Sequence, residues 1–209
     1  MKTNYFITGI STEVGKTVVS AVVTEALQAD YWKPIQAGDL HNTDTDKVRR
    51  WISNKKSVIH NSAYNLSTPM SPHAAAEIDK IKIKSSEIKR PVTKNSLVIE
   101  GAGGLLVPIN TKETIMDLIA KEDKVILVSR HYLGSINHTL LSIEALKAHG
   151  KNIFGIIFIG EEHPTTESII VKMTGAAVLG RIPIEPYIDK HVVSEYAEIF
   201  RPAIESELS

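Results

Sequence analysis

Gly9-Ile10-Ser11-Thr12-Glu13-Val14-Gly15-Lys16-Thr17 is the stretch on which the reading of this chain turns. It follows the apolar run Tyr5-Phe6-Ile7-Thr8 and opens into residues 16–28, where Val18, Val19, Val22, Val23, Ala26 and Leu27 recur at helical spacing. A glycine-bearing turn between a strand and a helix presents backbone N–H groups at the positive end of the helix, which suits a phosphate. Lys16 has the reach to meet β and γ phosphates, and Thr17 has a hydroxyl for magnesium. Gly9 and Gly15 stand one residue further apart than in the generic motif. The pattern still predicts a triphosphate cradle.

Short apolar runs return at residues 31–32, 97–99, 125–128, 153–159 and 177–179. Nearly continuous apolar strands of this length suit a parallel sheet covered on both faces. Helical spacing reappears over residues 137–149, with Gly150 as its stop. The alternation predicts an α/β class: a single-domain, P-loop NTPase-like fold with a mostly parallel central sheet flanked by helices, residues 1–209 forming one domain. Residues 38–47 and 61–76 read as loops or loop-led helices, and no repeat or linker interrupts the chain. Ligands of such folds bind beyond the carboxyl ends of the strands.

The 209 residues are 43% hydrophobic and 23% charged, which suits one buried core. Basic and acidic residues balance at 24 each, so no net field favours nucleic acid or an anionic membrane, and neither is an expected partner. The lack of cysteine excludes disulfides and thiolate catalysis and agrees with a reducing, cytoplasmic setting. The first residues carry no secretion-signal pattern, and no apolar run approaches the roughly 20 residues of a membrane-crossing helix. None of the eight histidines has zinc-site spacing.

A second strand end is acidic. In Ser96-Leu97-Val98-Ile99-Glu100-Gly101-Ala102-Gly103-Gly104, Glu100 is expected at the same sheet edge as the phosphate loop, where a carboxylate can hold magnesium directly or through water. The glycines after it read as a flexible loop that lets backbone approach a ligand. Asp44 and Asp46 precede a helix expected over residues 47–52, and each can be an N-cap or a magnesium ligand. Lys33, held extended by Pro34, is either a solvated lysine or one that stabilises charge on a transferring phosphoryl group.

Taken in order, the Gly9–Thr17 loop with its Glu13-Val14-Gly15-Lys16-Thr17 ending, Lys33-Pro34-Ile35-Gln36-Ala37-Gly38, Asn42-Thr43-Asp44, Ser71-Pro72-His73-Ala74-Ala75, Val98 to Gly104 with Pro108, and Leu133-Gly134-Ser135-Ile136-Asn137-His138 resemble the dethiobiotin synthetase family. The likeness is clear to about residue 138, and Leu179-Gly180-Arg181-Ile182-Pro183 extends it. The longer loop spacing is that family's own.

The resemblance implies ATP-dependent ureido-ring closure on 7,8-diaminononanoate with carbon dioxide or bicarbonate, in biotin biosynthesis, with ATP and Mg2+. One amine becomes a carbamate, the carbamate takes the γ-phosphoryl group, and the second amine displaces phosphate. Catalytic roles are implied for Lys16, Lys33 and Thr12. Nucleotide contacts are implied for Glu13, Val14, Gly15, Lys16, Thr17, Val18, Asp44, Glu100, Gly101, Ala102, Gly103, Pro183, Ile184 and Glu185. Magnesium falls to Thr17, Asp44 and Glu100, with Asp44 rather than Asp46 matching the family's pattern. Substrate contacts are implied for Thr12, Lys33, Ala37, Gly134, Ser135 and Asn137, the last three across a twofold homodimer interface. Two positions depart from the family: Ala37 replaces the usual Ser or Thr, and Ile159 replaces an Asn that reads the adenine edge.

Two other classes fit this sequence less well. Partitioning or scaffold-regulating ATPases carry a signature lysine where this chain has Ser11, and no basic amphipathic C-terminal helix is evident. A non-catalytic binding module has no need of Lys16, Thr17, Lys33 and Glu100 together.

Overall fold

The computed structural model describes residues 2–206. Alternation along the first strand sets up the two layers: in β1 (Asn4–Gly9), Tyr5 and Ile7 join one apolar cluster and Phe6 joins the other. The same two-sided burial holds in β2 (Asp30–Trp32), where Tyr31 and Trp32 part to opposite faces, and in β5 (Leu97–Gly104), where Val98 opposes Leu97 and Ile99. With β6 (Lys124–Arg130), β7 (Asn152–Ile159) and β8 (Val178–Ile182) these strands form one six-stranded sheet, ordered β2-β5-β1-β6-β7-β8, in which every pairing is parallel. Burial on both faces is what selects continuous apolar strands and parallel crossovers.

Helix α1 (Lys16–Leu27) follows β1 and packs against the last described helix, α6 (Lys190–Ser206). Val193, Ala197, Phe200 and Ile204 of α6 are buried in the same cluster as Val19, Val22 and Val23 of α1. Arg201 Nε adds a bond to the Ala26 carbonyl at 2.9 Å. Thus α6 is amphipathic, but its apolar stripe is spent on the core, and its exposed residues include Glu195, Glu198 and Glu205. Among the described residues no helix is long and apolar enough to cross a membrane.

Several sequence expectations are corrected. The acidic segment over residues 100–104 is not a free loop: β5 runs on to Gly104, because Gly9 pairs with Gly104 after a register shift that takes up the extra residues of β5. The helix expected from Lys47 begins at Asp44 as α2 (Asp44–Trp51), because Thr43 caps it in a reciprocal box with Asp46. Neither aspartate is the N-cap. The segment 61–76 holds β4 (Tyr64–Leu66), paired in parallel with β3 (Ile35–Ala37), and leads into α3 (Pro72–Ile78), which starts on a proline. Helix α4 (Ser135–Ala148) starts at Ser135 rather than Asn137 because Gly134, at φ 102°, turns the chain in the left-handed region. Helix α5 (Pro164–Thr174) was not anticipated.

Candidate active site

The loop between β1 and α1 is pinned from below. The Ile10 amide donates to the Val128 carbonyl at 3.1 Å, and Val14 is buried against Gly9. Gly15 sits at φ 93°, and a Cβ there would meet Ile159 side-chain carbons from 3.1 Å, so this position favours glycine twice over. Gly15 is the N-cap of α1 and offers no side-chain bond to its first turn. The first N–H groups of that helix are left for an anion. Lys16 is buried along its stem, with Nζ donating to the Ser11 carbonyl at 3.0 Å. The Arg130 guanidinium donates to the Glu13 carbonyl at 3.0 Å, bracing a residue at φ 56°.

Facing Lys16 is a polar cluster centred on Glu100, only 1% exposed at the end of the apolar part of β5. Register places Trp32 beside Ile99, so Lys33 emerges next to Glu100. Lys33 Nζ donates to Glu100 Oε1 at 2.9 Å and to Asp44 Oδ2 at 2.6 Å. Thr17 Oγ1 donates to the same Glu100 oxygen at 2.9 Å. The Tyr31 hydroxyl donates to Oε2, also at 2.9 Å. Asp44 stands at the start of α2, with its amide bonded to Gln36 Oε1 and its Oδ1 accepting from Lys47 at 3.0 Å. Asp46, by contrast, is occupied by Thr43 and Arg49.

These groups tune one another. Burial opposes charge on Lys33, but Glu100 and Asp44 outweigh it and hold its pKa above the ordinary lysine value. Burial likewise works against ionised Asp44, yet Lys33 and Lys47 bring its carboxyl down to about 2. Lys16 lacks such a partner. Its burial, followed by repulsion from Lys33, lowers it to about 8. The site therefore has one firmly paired lysine and one poised to gain from an arriving anion.

A cleft of about 750 Å³ joins these residues. Of the positions expected from the sequence, it is lined by residues 12–18, Lys33, Ala37, Asp44, Glu100, Ala102 and Gly103. Gly101 lies beneath it, closed off by Phe6 and Ile115. Pro183, Ile184 and Glu185 follow β8 outside the cleft, and Glu185 accepts a bond from the Tyr196 hydroxyl on α6. Gly134, Ser135 and Asn137 also lie outside it, at the start of α4, with Ser135 buried and Asn137 exposed. Ile159 is buried under Gly15 and offers no amide to a base. Sequence reasoning missed Lys47, Arg50, Trp51 and Met70, which line the cleft, and Tyr31, which grips Glu100 from behind. For Lys47 there was a signal, its position three residues after Asp44 on one helix. The others depend on tertiary contacts.

A parallel sheet with a phosphate loop at the end of a central strand, and a lysine–carboxylate cluster facing it, defines a P-loop α/β nucleotide-binding protein. A family model described as an AAA domain matches residues 3–192. The septum site-determining protein MinD of Pyrococcus horikoshii, solved with Mg-ADP, aligns with a TM-score of 0.57 at 15% identity, covering 100% of this chain and 93% of that one. A plasmid partition protein of Borrelia burgdorferi aligns with a TM-score of 0.58 at 14% identity, over 98% and 99% of the two chains. At such identities the likeness carries the architecture alone. By sequence, the ATP-dependent dethiobiotin synthetase of Christiangramia forsetii is 68% identical over 96% of this chain and 97% of its own. That of Cytophaga hutchinsonii is 50% identical over 92% and 94%. The chain belongs to the ATP-dependent dethiobiotin synthetase family.

Proposed function

We propose that the chain, working as one domain, makes dethiobiotin from 7,8-diaminononanoate, carbon dioxide and ATP in the cleft between α1, α2 and the end of β5. The observation that carries this reading is the convergence of Thr17 and Lys33 on a single oxygen of buried Glu100, in the same cleft as the uncapped start of α1. The reaction needs little covalent help from protein. Carbon dioxide and one amine give a carbamate and a proton; a carbamate oxygen takes the γ-phosphoryl group and ADP leaves. The second amine then attacks the carbonyl carbon, phosphate departs, and the ring closes. What the protein supplies is position and charge.

Lys16 and the first N–H groups of α1 hold phosphate oxygens. Lys33, charged at neutral pH, stabilises the oxygens passing between carbamate and phosphoryl group. Thr12 lines the cleft where the substrate meets the loop, and Ala37 leaves a wall without a hydroxyl there. The hydroxyl of Thr17 and the carboxylates of Asp44 and Glu100 are hard oxygen donors that would suit magnesium. The ion those residues would hold would supply positive charge to neutralise charge on the transferring phosphoryl group. Gly134, Ser135 and Asn137 are read as substrate contacts donated by a second copy. Fully exposed Leu133, next to Gly134 in the chain, and largely exposed Leu141, one turn after Asn137 on α4, support a homodimer there.

The test is to incubate the protein with 7,8-diaminononanoate, bicarbonate, Mg2+ and ATP and to look for dethiobiotin by mass spectrometry, beside Lys16→Ala. Product from the intact protein alone supports the reading. ATP hydrolysis without product moves it toward a switch ATPase, and silence in both toward a binding module. Light scattering at assay concentration tests the dimer.

A further inference from the structure

Glu100 is held on both of its oxygens, and only one of those grips belongs to the cleft. Thr17 and Lys33, which line the cleft, both bond Oε1; Tyr31, which does not, bonds Oε2. The tyrosine is fully buried on β2, opposite Val98 in the β2–β5 pairing, two positions before Glu100 on the same face of the sheet. Its ring spans that distance along the sheet. Its backbone is fixed on the other side as well, the amide donating to Val58 and the carbonyl accepting from His60. Such a donor cannot follow the carboxylate if it turns.

We infer that Tyr31 is a positioning residue that commits one oxygen of Glu100 to the interior and presents the other, Oε1, to the cleft as a single-oxygen ligand. The inference rests on the reading of Glu100 as a magnesium-side carboxylate. The terminal torsion of a glutamate is soft. Bonds to Oε1 alone would let the carboxylate rotate toward a cation and offer both oxygens. With Oε2 occupied by a buried hydroxyl, the two-oxygen mode is closed. Magnesium demands compact octahedral geometry, whereas calcium is larger, more permissive and often takes a carboxylate through both oxygens. Tyr31 thus contributes to discrimination between the two ions, from a position that touches neither substrate nor nucleotide.

The test measures ATP affinity by calorimetry in EDTA, Mg2+ and Ca2+ for the intact protein, Tyr31→Phe, Glu100→Gln and the double variant. Phenylalanine keeps the ring in the core and removes only the hydroxyl, and a thermal melt of each variant confirms folding. We expect Tyr31→Phe to reduce the gain in affinity from Mg2+ by about tenfold, as loss of an outer partner of a metal ligand commonly does, and to narrow the Mg2+/Ca2+ ratio. Affinity in EDTA should be unchanged, and the double variant should be no worse than Glu100→Gln. If Tyr31→Phe keeps both the gain and the ratio while Glu100→Gln loses them, the inference is overturned and the reading of Glu100 stands. If Glu100→Gln keeps the gain, that reading falls first. A double variant worse than Glu100→Gln assigns Tyr31 a structural role instead. A further measurement needs no variant: the Tyr31 hydroxyl proton should be seen by NMR as slowly exchanging both before and after Mg-ATP is added. Its loss on binding contradicts a fixed grip.

Discussion

The Lys33 ammonium lies 2.9 Å from Glu100 Oε1, with both side chains almost wholly removed from water. A pair placed so deep is worth little as a net stabiliser, but removing one partner strands the other. Lys33→Met should therefore destabilise the protein by about 3 to 5 kcal/mol at neutral pH and abolish ring closure. The pH dependence has a definite sign. In the intact protein Asp44 is lowered to about 2, so its contribution is full above the ordinary carboxylate range and is lost as pH falls toward 2. Without Lys33 that acid-side loss should shrink, so urea melts of the two proteins should converge on acidification. Parallel curves would mean that Lys33 does not hold Asp44.

ATP binding should take up a proton at pH above 8. Lys16 is lowered to about 8 by burial and by Lys33, and phosphate oxygens push it back toward its ordinary value. Between those limits affinity should weaken by up to about tenfold per pH unit, and calorimetry in buffers of different ionisation enthalpy should show uptake at pH 8.5 and little at pH 6.5. Equal heats in the two buffers at pH 8.5 would show that Lys16 does not titrate on binding.

With Ile159 offering no amide to a base, discrimination among nucleoside triphosphates should be weak. Similar turnover and apparent affinity for ATP, GTP and CTP are expected in the product assay. Strict ATP use would instead assign base recognition to other groups, such as the backbone of residues 183–185. Ile159→Asn should cost about 1 to 3 kcal/mol of stability, because it places an amide beneath Gly15.

Glu25 on α1 accepts from the Ser53 and Asn54 amides, the Ser53 hydroxyl and the Asn54 side chain. Burial opposes its charge, but those bonds outweigh burial and hold its pKa below the usual glutamate value. Its contribution is thus present above the ordinary carboxylate range and lost as pH falls through its lowered value. Glu25→Gln, which turns a donor toward donors, should cost about 1 to 3 kcal/mol at pH 7 and less at pH 3, read from thermal or urea melts. An unchanged melting temperature would leave the tie between α1 and the chain after α2 without energetic weight.

The phosphate loop was legible because its chemistry is contiguous: Gly15, Lys16 and Thr17 are neighbours in the chain and in space. Glu100 was legible from its place at the end of an apolar run. Tyr31 was not, since its contact with Glu100 arises from strand register across 69 positions. The start of α2 was misplaced because Thr43 and Asp46 cap it jointly, and a lone aspartate resembles a cap by itself. The β3–β4 pair is too short to show a period, its strands having three residues each. In α6 the buried positions do recur at helical spacing, but Pro202 within the helix and the many charges between them mask the pattern.

Arg201 bonds the Ala26 carbonyl across 175 positions, and the buried stripe of α6 covers the helix that the phosphate loop opens. The loop is synthesised before the helix that braces it, with 175 positions between Ala26 and Arg201. A nascent chain therefore carries a complete phosphate motif over that interval without the packing of α6 against α1. The core beneath the phosphate loop closes only when α6 docks on α1.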